Sequence, residues 1–191
     1  MSAMKLDPGC GALVLVDYQA RLMPSSWGGE AVVAEAVFLA RVARALGVPV
    51  VGTEQNPTGL GPNVAEVRAL CARTLPKMHF DATADGLLDA LRGDGRPLAQ
   101  VVVAGCEAHV CLMQTALGLL AAGLQVAVVP DGCGSRRPSD KLLSMQRLQR
   151  AGATLMSAEM VAFEWLQSCS SPHFKAVLQL IKQRPLPAAP A

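Results

Sequence analysis

The sequence predicts an α/β fold with three layers (α/β/α), in which helices cover both faces of a mostly parallel, Rossmann-like sheet of about six strands. Two runs of consecutive apolar residues, 12–16 and 101–104, are typical of central parallel strands that are buried on both faces. Three helical segments end at Gly47, Gly123 and Gly152, and each is followed within a residue or two by a strand-like segment. This repeated alternation of helix and strand predicts the parallel sheet.

The elements follow from apolar periodicity and from the turn formers between them. In the first half we predict strands at 12–16 and 48–51, helices at 30–46 and 63–71, and a turn-rich loop at 53–62. The segment 74–77 is a poor strand candidate because Pro76 interrupts it. The segment 81–91 is predicted to be a helix with Asp81 as its N-cap.

The second half contains the clearest strand–helix–strand unit. Val110, Met113, Leu117 and Leu120 have the spacing of one helical face between apolar runs at 101–104 and 126–129. Further elements are predicted as helices at 139–151, 158–168 and 172–182 and a strand at 153–157. We expect one domain at 11–183 and a disordered, Pro/Ala-rich tail at 184–191.

Composition excludes several classes of function. Of the 191 residues, 51% are apolar and 17% are charged, which is typical of a globular chain. The net charge of +2, without a basic run or an aromatic platform, predicts no nucleic-acid partner and no membrane partner. The six cysteines form no C-x-x-C pair, and no secretory signal is recognisable. We therefore expect reduced thiols and a cytoplasmic location.

The carboxyl ends of the predicted strands bring together Asp17, the loop 53–62, Lys77, the turn 106–111 and the loop that begins at Asp131. Because open α/β sheets bind ligands at the carboxyl ends of their strands, this edge is the expected site. Two alternatives without a catalytic role stay open at this point. Asp17 could serve as a structural cap or pair, and Lys77 could be a solvated surface lysine.

Cys111 has two interpretations. Buried free cysteines are often inert core residues. At the start of a helix, however, N–H groups and the helix dipole stabilise a thiolate, and the same amides could hold an oxyanion. His109 is not expected to serve Cys111, because residues two apart on a helix do not face each other. The sequence contains no dinucleotide fingerprint, P-loop, serine nucleophile elbow or metal-ligand spacing.

Three features together resemble the isochorismatase-like cysteine hydrolase superfamily. They are Asp17 after the strand ALVLV, Lys77 before a Met-His-Phe turn, and the segment VVVAGCEAHVCLMQTA. The resemblance extends from about residue 11 to residue 182. The TEQNPTGLG loop and the closing SPHFKAVLQLIK are most similar to the branch of isochorismatase domain-containing proteins.

The resemblance implies a catalytic triad of Asp17, Lys77 and Cys111. It also implies a cis peptide bond between Cys106 and Glu107, and an oxyanion hole formed by the backbone N–H groups of Glu107 and Cys111. Three further residues are expected to line the substrate pocket: Gln19, Gln55 and Phe80.

The implied activity is hydrolysis of a small amide or a related C–N acyl compound through a thioester, by a homo-oligomer without a cofactor. The loop 53–57 lacks the histidines that bind metal in the nicotinamidases of this superfamily, so neither a metal nor that activity is expected. True isochorismatases cleave a vinyl ether and lack the nucleophilic cysteine, whereas Cys111 is present here. Two alternatives are a catalytically silent interaction protein and a redox-sensing thiol protein in which Cys106 resolves Cys111.

Overall fold

Six parallel strands form a single sheet in the computed structural model, which describes residues 5–93 and 95–184. The strands are β1 (Gly11–Val16), β2 (Val50–Gln55), β3 (Arg73–Lys77), β4 (Gln100–Gly105), β5 (Gln125–Val128) and β6 (Thr154–Leu155). Their order across the sheet is β3-β2-β1-β4-β5-β6, and every neighbouring pair is parallel. The predicted α/β class is confirmed, and the sheet is parallel throughout these residues.

Eight α-helices in the described part of the chain connect and cover the strands. They are α1 (Gly29–Ala45), α2 (Pro57–Leu60), α3 (Ala65–Arg68), α4 (Leu87–Arg92), α5 (Met113–Ala121), α6 (Pro138–Arg150), α7 (Ala158–Leu166) and α8 (Phe174–Lys182). Helices α1, α7 and α8 contribute to the core on one face of the sheet, and α4, α5 and α6 contribute to the core on the other. None of the helices within the described ranges has the length and apolarity needed to cross a membrane.

Strand β1 shows why the apolar runs are continuous. Leu13 and Leu15 pack into the core on the α1 side, whereas Ala12, Val14 and Val16 pack into the core on the α5 side. Successive side chains of a strand point to opposite faces, so a strand covered on both faces needs apolar residues at every position. This burial fixes β1 at the centre of the sheet and places the residue after it, Asp17, at the carboxyl edge.

The segment that Pro76 interrupts is nevertheless a strand. Among the described strands, β3 pairs with β2 alone, so it lies at one edge of the sheet. Proline lacks the N–H group of a ladder hydrogen bond and is tolerated on an edge strand for that reason. The register sets Lys77 beside Gln55, which brings both residues to the carboxyl edge.

Several other boundaries differ from the prediction. Strand β2 continues to Gln55 and α2 follows, so part of the predicted loop 53–62 is regular structure. The predicted helix 81–91 is broken at Gly86, whose φ of +91° ends a 3-10 turn (Ala82–Asp85) before α4 begins. Asp81 is the N-cap as predicted, since its side chain accepts a hydrogen bond from Thr83 N.

The predicted tail, 184–191, lies outside the described residues except for Arg184. The guanidinium of Arg184 pairs with the Glu35 carboxylate at 2.8 Å and lies 4.4 Å from the centre of the Phe38 ring. Arg184 therefore packs against α1, and the predicted disorder does not apply to this residue.

Candidate active site

The carboxyl ends of four adjacent strands bring the predicted catalytic residues to one edge of the sheet. Asp17 directly follows β1, Lys77 ends β3, and Cys111 lies in a π-helical turn (Ala108–Leu112) after β4. Val16 is in register with both Thr53 of β2 and Gly105 of β4. The parallel register therefore assembles this cluster from segments that are far apart in the chain.

Lys77 and Asp17 form a fully buried ion pair. Lys77 Nζ lies 2.8 Å from Asp17 Oδ2, and neither side chain has any solvent exposure. Lys77 Nζ also donates a hydrogen bond to Gln55 Oε1 at 2.6 Å. A buried ammonium group is tolerated only with such partners, because burying an isolated charge is unfavourable by many kcal/mol. Lys77 is therefore not the solvated surface lysine that remained an alternative from the sequence.

Thr53 sets the orientation of the Asp17 carboxylate. The Thr53 hydroxyl donates to Asp17 Oδ1 at 2.6 Å. Asp17 itself has a φ of +53°, a left-handed conformation that aspartate tolerates better than most residues. Within the described part of the chain, Oδ2 accepts no hydrogen bond of normal geometry, although it faces Lys77 Nζ. The two carboxylate oxygens thus have different partners, Thr53 at Oδ1 and Lys77 at Oδ2.

Cys111 contacts this pair. Its side chain is only 6% exposed, and interacts with the side chains of both Asp17 and Lys77. Its Sγ atom lies 3.8 Å from Gln55 Oε1. Burial, and then the negative charge of Asp17, raise the pKa of the Cys111 thiol to about 12, although Lys77 acts in the opposite direction. Burial and the charge of Asp17 thus oppose the stabilisation of a thiolate that the helix start could provide.

The turn before Cys111 has an unusual backbone conformation. The peptide bond between Cys106 and Glu107 is cis, as the resemblance implied. Glu107 O accepts hydrogen bonds from the N–H groups of Val110 and Leu112, on either side of Cys111. No residue of the described ranges accepts a hydrogen bond from Glu107 N–H, and Cys111 N–H has no acceptor outside its own helical turn.

Gly134 fastens the same turn to the neighbouring loop. Its carbonyl accepts from Ala108 N at 2.7 Å, and its N–H donates to Gly105 O at 3.1 Å. A Cβ atom at position 134 would lie 2.9 Å from Cys106 Sγ and even closer to the Ser26 hydroxyl oxygen. A larger residue there would force the side chains of Ser26 and Cys106 to move.

The three residues predicted to line the pocket occupy different environments. Gln55 touches both Lys77 and Cys111, as described above. Gln19 is fully buried, and its amide nitrogen donates to the backbone carbonyls of Gln55 and Gly61. These hydrogen bonds join Gln19 to the end of β2 and to the segment after α2, and its direct contact with substrate stays a prediction. The Phe80 side chain is 51% exposed beside the cluster, where a ligand could reach it.

Thr53 was missed by sequence reasoning. It lay inside a segment interpreted as a loop, and its contact with Asp17 depends on the parallel register of β1 and β2. A signal existed, because extending the second strand by two residues would have placed a hydroxyl beside the aspartate at the adjacent strand end.

Two other predicted neighbours of Cys111 point elsewhere. His109 Nδ1 lies 3.0 Å from the Ser135 hydroxyl, in agreement with its exclusion as a partner of Cys111. Cys106 belongs to the core on the α1 side of the sheet, whereas Cys111 belongs to the core on the α5 side. Across residues 5–93 and 95–184, no three His, Cys, Asp or Glu side chains are grouped so as to hold a metal ion.

The buried ion pair predicts a large effect on stability. Lys77→Met keeps most of the side-chain volume but leaves the Asp17 carboxylate buried without its counter-charge. We expect the free energy of unfolding in urea at pH 7 to fall by about 3–5 kcal/mol. The double variant Lys77→Met/Asp17→Asn should recover most of this loss. A loss below about 1 kcal/mol in the single variant would contradict the described pair.

The raised pKa of Cys111 predicts an unusual pH dependence of alkylation. Only the thiolate reacts, so the rate of labelling with iodoacetamide should keep rising from pH 7 to pH 10, because the pKa is about 12. Free cysteine, with a pKa of about 8.5, should level off over the same range. Peptide mass spectrometry would follow Cys111 separately from the other cysteines. A plateau for Cys111 below pH 9 would contradict the raised pKa.

The family model described as "Isochorismatase domain" matches residues 11–160. Isochorismatase domain-containing protein 2A from Mus musculus is 38% identical over 186 residues, which cover 96% of this chain and 87% of that protein. Isochorismatase domain-containing protein 2 from Homo sapiens is 38% identical over 179 residues, which cover 92% and 85%.

Solved structures show the same fold. MAR1 ribonuclease from Caenorhabditis elegans superposes with a TM-score of 0.88 at 28% identity, covering 97% of this chain and 100% of that one. YcaC from Pseudomonas aeruginosa, solved with hexane-2,5-diol and covalent acrylamide, has a TM-score of 0.85 at 25% identity, covering 94% and 93%. The chain therefore belongs to the isochorismatase family and has the fold of its hydrolases.

Proposed function

We propose that the protein is a cysteine hydrolase that cleaves a small amide or a related C–N acyl compound. The observation that carries this proposal is the position of the Cys111 thiol. Its sulfur lies 3.8 Å from Gln55 Oε1, which also accepts a hydrogen bond from Lys77 of the buried Lys77–Asp17 ion pair. A nucleophile beside a base that a third group orients is the arrangement of covalent catalysis. Perturbed thiols with a specific charge partner also cluster at functional sites.

Acylation begins with a proton transfer. Since the resting thiol has a pKa of about 12, a base must take its proton as the bond to carbon forms. We assign this role to Asp17, whose carboxylate is oriented by the Thr53 hydroxyl at Oδ1 and by Lys77 Nζ at Oδ2. Sγ attacks the carbonyl carbon, and the π electrons of the carbonyl group move to its oxygen. Lys77 offsets the negative charge that accumulates around the pair.

The oxyanion would be held by the N–H groups of Glu107 and Cys111. The absence of a described acceptor for Glu107 N–H supports this role. Donors of this kind contribute about 3–4 kcal/mol each to transition-state stabilisation in hydrolases. When the intermediate collapses, the C–N bond breaks and Asp17 returns the proton to the leaving nitrogen. The products of this half-reaction are the amine or ammonia and an acyl thioester on Cys111.

Deacylation uses the same groups in reverse. Asp17 takes a proton from a water molecule, and the resulting hydroxide equivalent attacks the thioester carbon. The C–S bond breaks, the sulfur takes the proton from Asp17, and a carboxylic acid leaves. Every proton and electron pair is accounted for by substrate, water and the three side chains, so the proposal needs no cofactor.

The surroundings of Cys111 favour a small substrate. With 6% exposure, the thiol admits only a narrow group, while the half-exposed Phe80 offers an apolar surface at the rim. Covalent acrylamide in the Pseudomonas aeruginosa structure supports the proposal, because acrylamide is a small amide that alkylates thiols. We propose that Gln55 contacts the bound amide, since its carboxamide lies beside both Lys77 and Cys111.

A screen for ammonia release across small amides and ureides tests the function. The matched controls are Cys111→Ala and Cys169→Ala, since Cys169 is an exposed thiol away from the core. We expect at least one compound to be hydrolysed by the wild-type protein and by Cys169→Ala only. Release that is equal in Cys111→Ala would reject the mechanism. A wild-type protein inert to the whole screen would favour the interaction-protein alternative.

Two rival activities are open to direct tests. The neighbour named a ribonuclease suggests RNA cleavage, which a labelled RNA substrate would reveal. A redox sensor should form a Cys106–Cys111 disulfide on treatment with peroxide, which peptide mapping would detect. The burial of these two thiols in different core layers favours the hydrolase over the sensor.

We also propose that the protein acts as a cytoplasmic homo-oligomer. YcaC from Escherichia coli, at 24% identity and a TM-score of 0.84, is described as an octameric hydrolase of unknown specificity. Large apolar side chains are exposed on α6 and α7 of this chain: Leu142, Leu143, Met160 and Phe163. Light scattering after gel filtration measures the mass in solution, and a mass near 20.0 kDa would reject self-association.

A further inference from the structure

We propose that Asp85 is a positioning residue that holds Lys77 in place beside Asp17 and Cys111. The proposal rests on the function proposed for those three side chains. Asp85 makes no direct contact with Lys77 in the described structure. It acts through the turn 78–80, which follows the edge strand β3.

Asp85 clamps this turn by three contacts. Its Oδ2 atom accepts hydrogen bonds from Met78 N at 3.0 Å and from His79 N at 2.9 Å. Its Oδ1 atom lies 3.0 Å from His79 Nδ1. Both oxygens of one carboxylate are thus used on two consecutive residues of the turn. The pKa of Asp85 is lowered, chiefly by the hydrogen bond from the His79 side chain, so the carboxylate persists as an acceptor.

The clamped turn presents its carbonyl groups to the catalytic cluster. His79 O and Phe80 O lie 3.3 and 3.5 Å from Lys77 Nζ. Met78 O accepts a hydrogen bond at 2.8 Å from the Gln55 side chain, which itself contacts Lys77 and Cys111. Every carbonyl of the turn therefore helps to fix a polar side chain of the site.

Apart from these hydrogen bonds, few contacts with the described residues hold the turn in place. The side chains of Met78 and Phe80 are 66% and 51% exposed, so the turn has few buried apolar contacts. Phe80 O also receives a long hydrogen bond of 3.4 Å from Thr115, which follows Cys111 by one helical turn. The Asp85 carboxylate is thus the main acceptor for the backbone N–H groups of the turn. By holding these N–H groups it also holds the carbonyl groups that lie near Lys77.

Asp85→Asn is the test, and alkylation of Cys111 by acrylamide is its first measurement. The Asn side chain keeps one acceptor oxygen but loses the negative charge that strengthens the hydrogen bonds from Met78 N and His79 N, so the turn should loosen and Lys77 should lose part of its carbonyl contacts. Because Lys77 lowers the pKa of Cys111, its displacement should reduce the thiolate fraction. We expect labelling of Cys111 at pH 8 to slow by about threefold to tenfold, where tenfold corresponds to one pKa unit.

Three further variants separate positioning from a general loss of structure. Asp89→Asn makes the same charge change at an exposed position of α4. Thr83→Ala removes a hydrogen bond to Asp81 within the 3-10 turn that carries Asp85, without touching the clamp. In both variants acrylamide should alkylate Cys111 at the wild-type rate. Asp85→Glu retains two carboxylate oxygens and should recover part of the rate. With an identified substrate, Asp85→Asn should lower kcat while leaving KM within about twofold.

Labelling within twofold of wild type in Asp85→Asn, measured well below its melting temperature, would overturn the proposal. Equal slowing in Thr83→Ala would overturn it too, because the effect would then be one of local stability. The measurement needs no substrate. An amide screen that fails would therefore count against the proposed hydrolase, whereas unchanged labelling would count against the role of Asp85.

Discussion

Replacement of Cys111 by alanine should abolish turnover of any amide found in the screen, with a loss of at least about 10⁴-fold in kcat. Loss of a nucleophile has effects of this size or larger in hydrolases whose triad acts as a unit. The fold should survive, because alanine removes a single sulfur atom and leaves the Lys77–Asp17 ion pair and the Lys77–Gln55 hydrogen bond in place. Circular dichroism and thermal melting would confirm that the variant remains folded.

Cys133→Ala is the matched control for this result. Cys133 is fully buried in the same core as Cys111, and its thiol donates to the Val129 carbonyl at 3.0 Å. The change removes a buried thiol of the same size at a position away from the ion pair. We expect its turnover to stay within a few-fold of wild type. Turnover by Cys111→Ala at the wild-type rate would show that another group is the nucleophile.

Asp17→Asn should affect turnover and alkylation in opposite directions. Turnover should fall by about 10²–10⁴-fold, because no group remains to take the thiol proton or to protonate the leaving nitrogen. Alkylation of Cys111 near neutral pH should become faster, because the negative charge of Asp17 helps to raise the pKa of the thiol. Without that charge, Lys77 alone would act on the sulfur and favour the thiolate.

Thr53→Val provides a graded comparison for Asp17→Asn. It removes the hydrogen bond to Asp17 Oδ1 and keeps the carboxylate charge. Its turnover should fall less than that of Asp17→Asn, and its alkylation rate should stay closer to wild type. If Asp17→Asn slows both alkylation and turnover, Asp17 instead promotes the reactivity of the resting thiol. If turnover is unchanged, Asp17 is not the base.

Much of the fold could be predicted because burial leaves a direct mark on the sequence. The uninterrupted apolar residues of β1 report a strand covered on both faces, and the glycines after α1, α5 and α6 report where helices end. Strand β3 left no such mark. Because β3 is an edge strand, it needs fewer apolar residues and tolerates Pro76, so the apolar pattern of the sequence does not predict it as a strand.

The candidate site was predictable only in part. The motif around Cys111 and the positions of Asp17 and Lys77 could be found by resemblance, and the parallel sheet explains why they meet. The acidity of the thiol was not predictable, because it depends on burial and on the charge of a residue 94 positions away in the chain (111 − 17). Thr53 and Asp85 were missed for a related reason, since their contacts exist only after strands and turns have come together.

Mass spectrometry of Cys111 during turnover tests the central proposal most directly. A reaction of the wild-type protein with a substrate from the screen would be quenched in acid, which preserves thioesters, and then digested for peptide mapping. The proposed mechanism predicts that the peptide containing Cys111 gains the mass of the acyl group, and that this species is absent from Cys111→Ala. Steady turnover without an acyl group on Cys111, or with the acyl group on another residue, would contradict the mechanism.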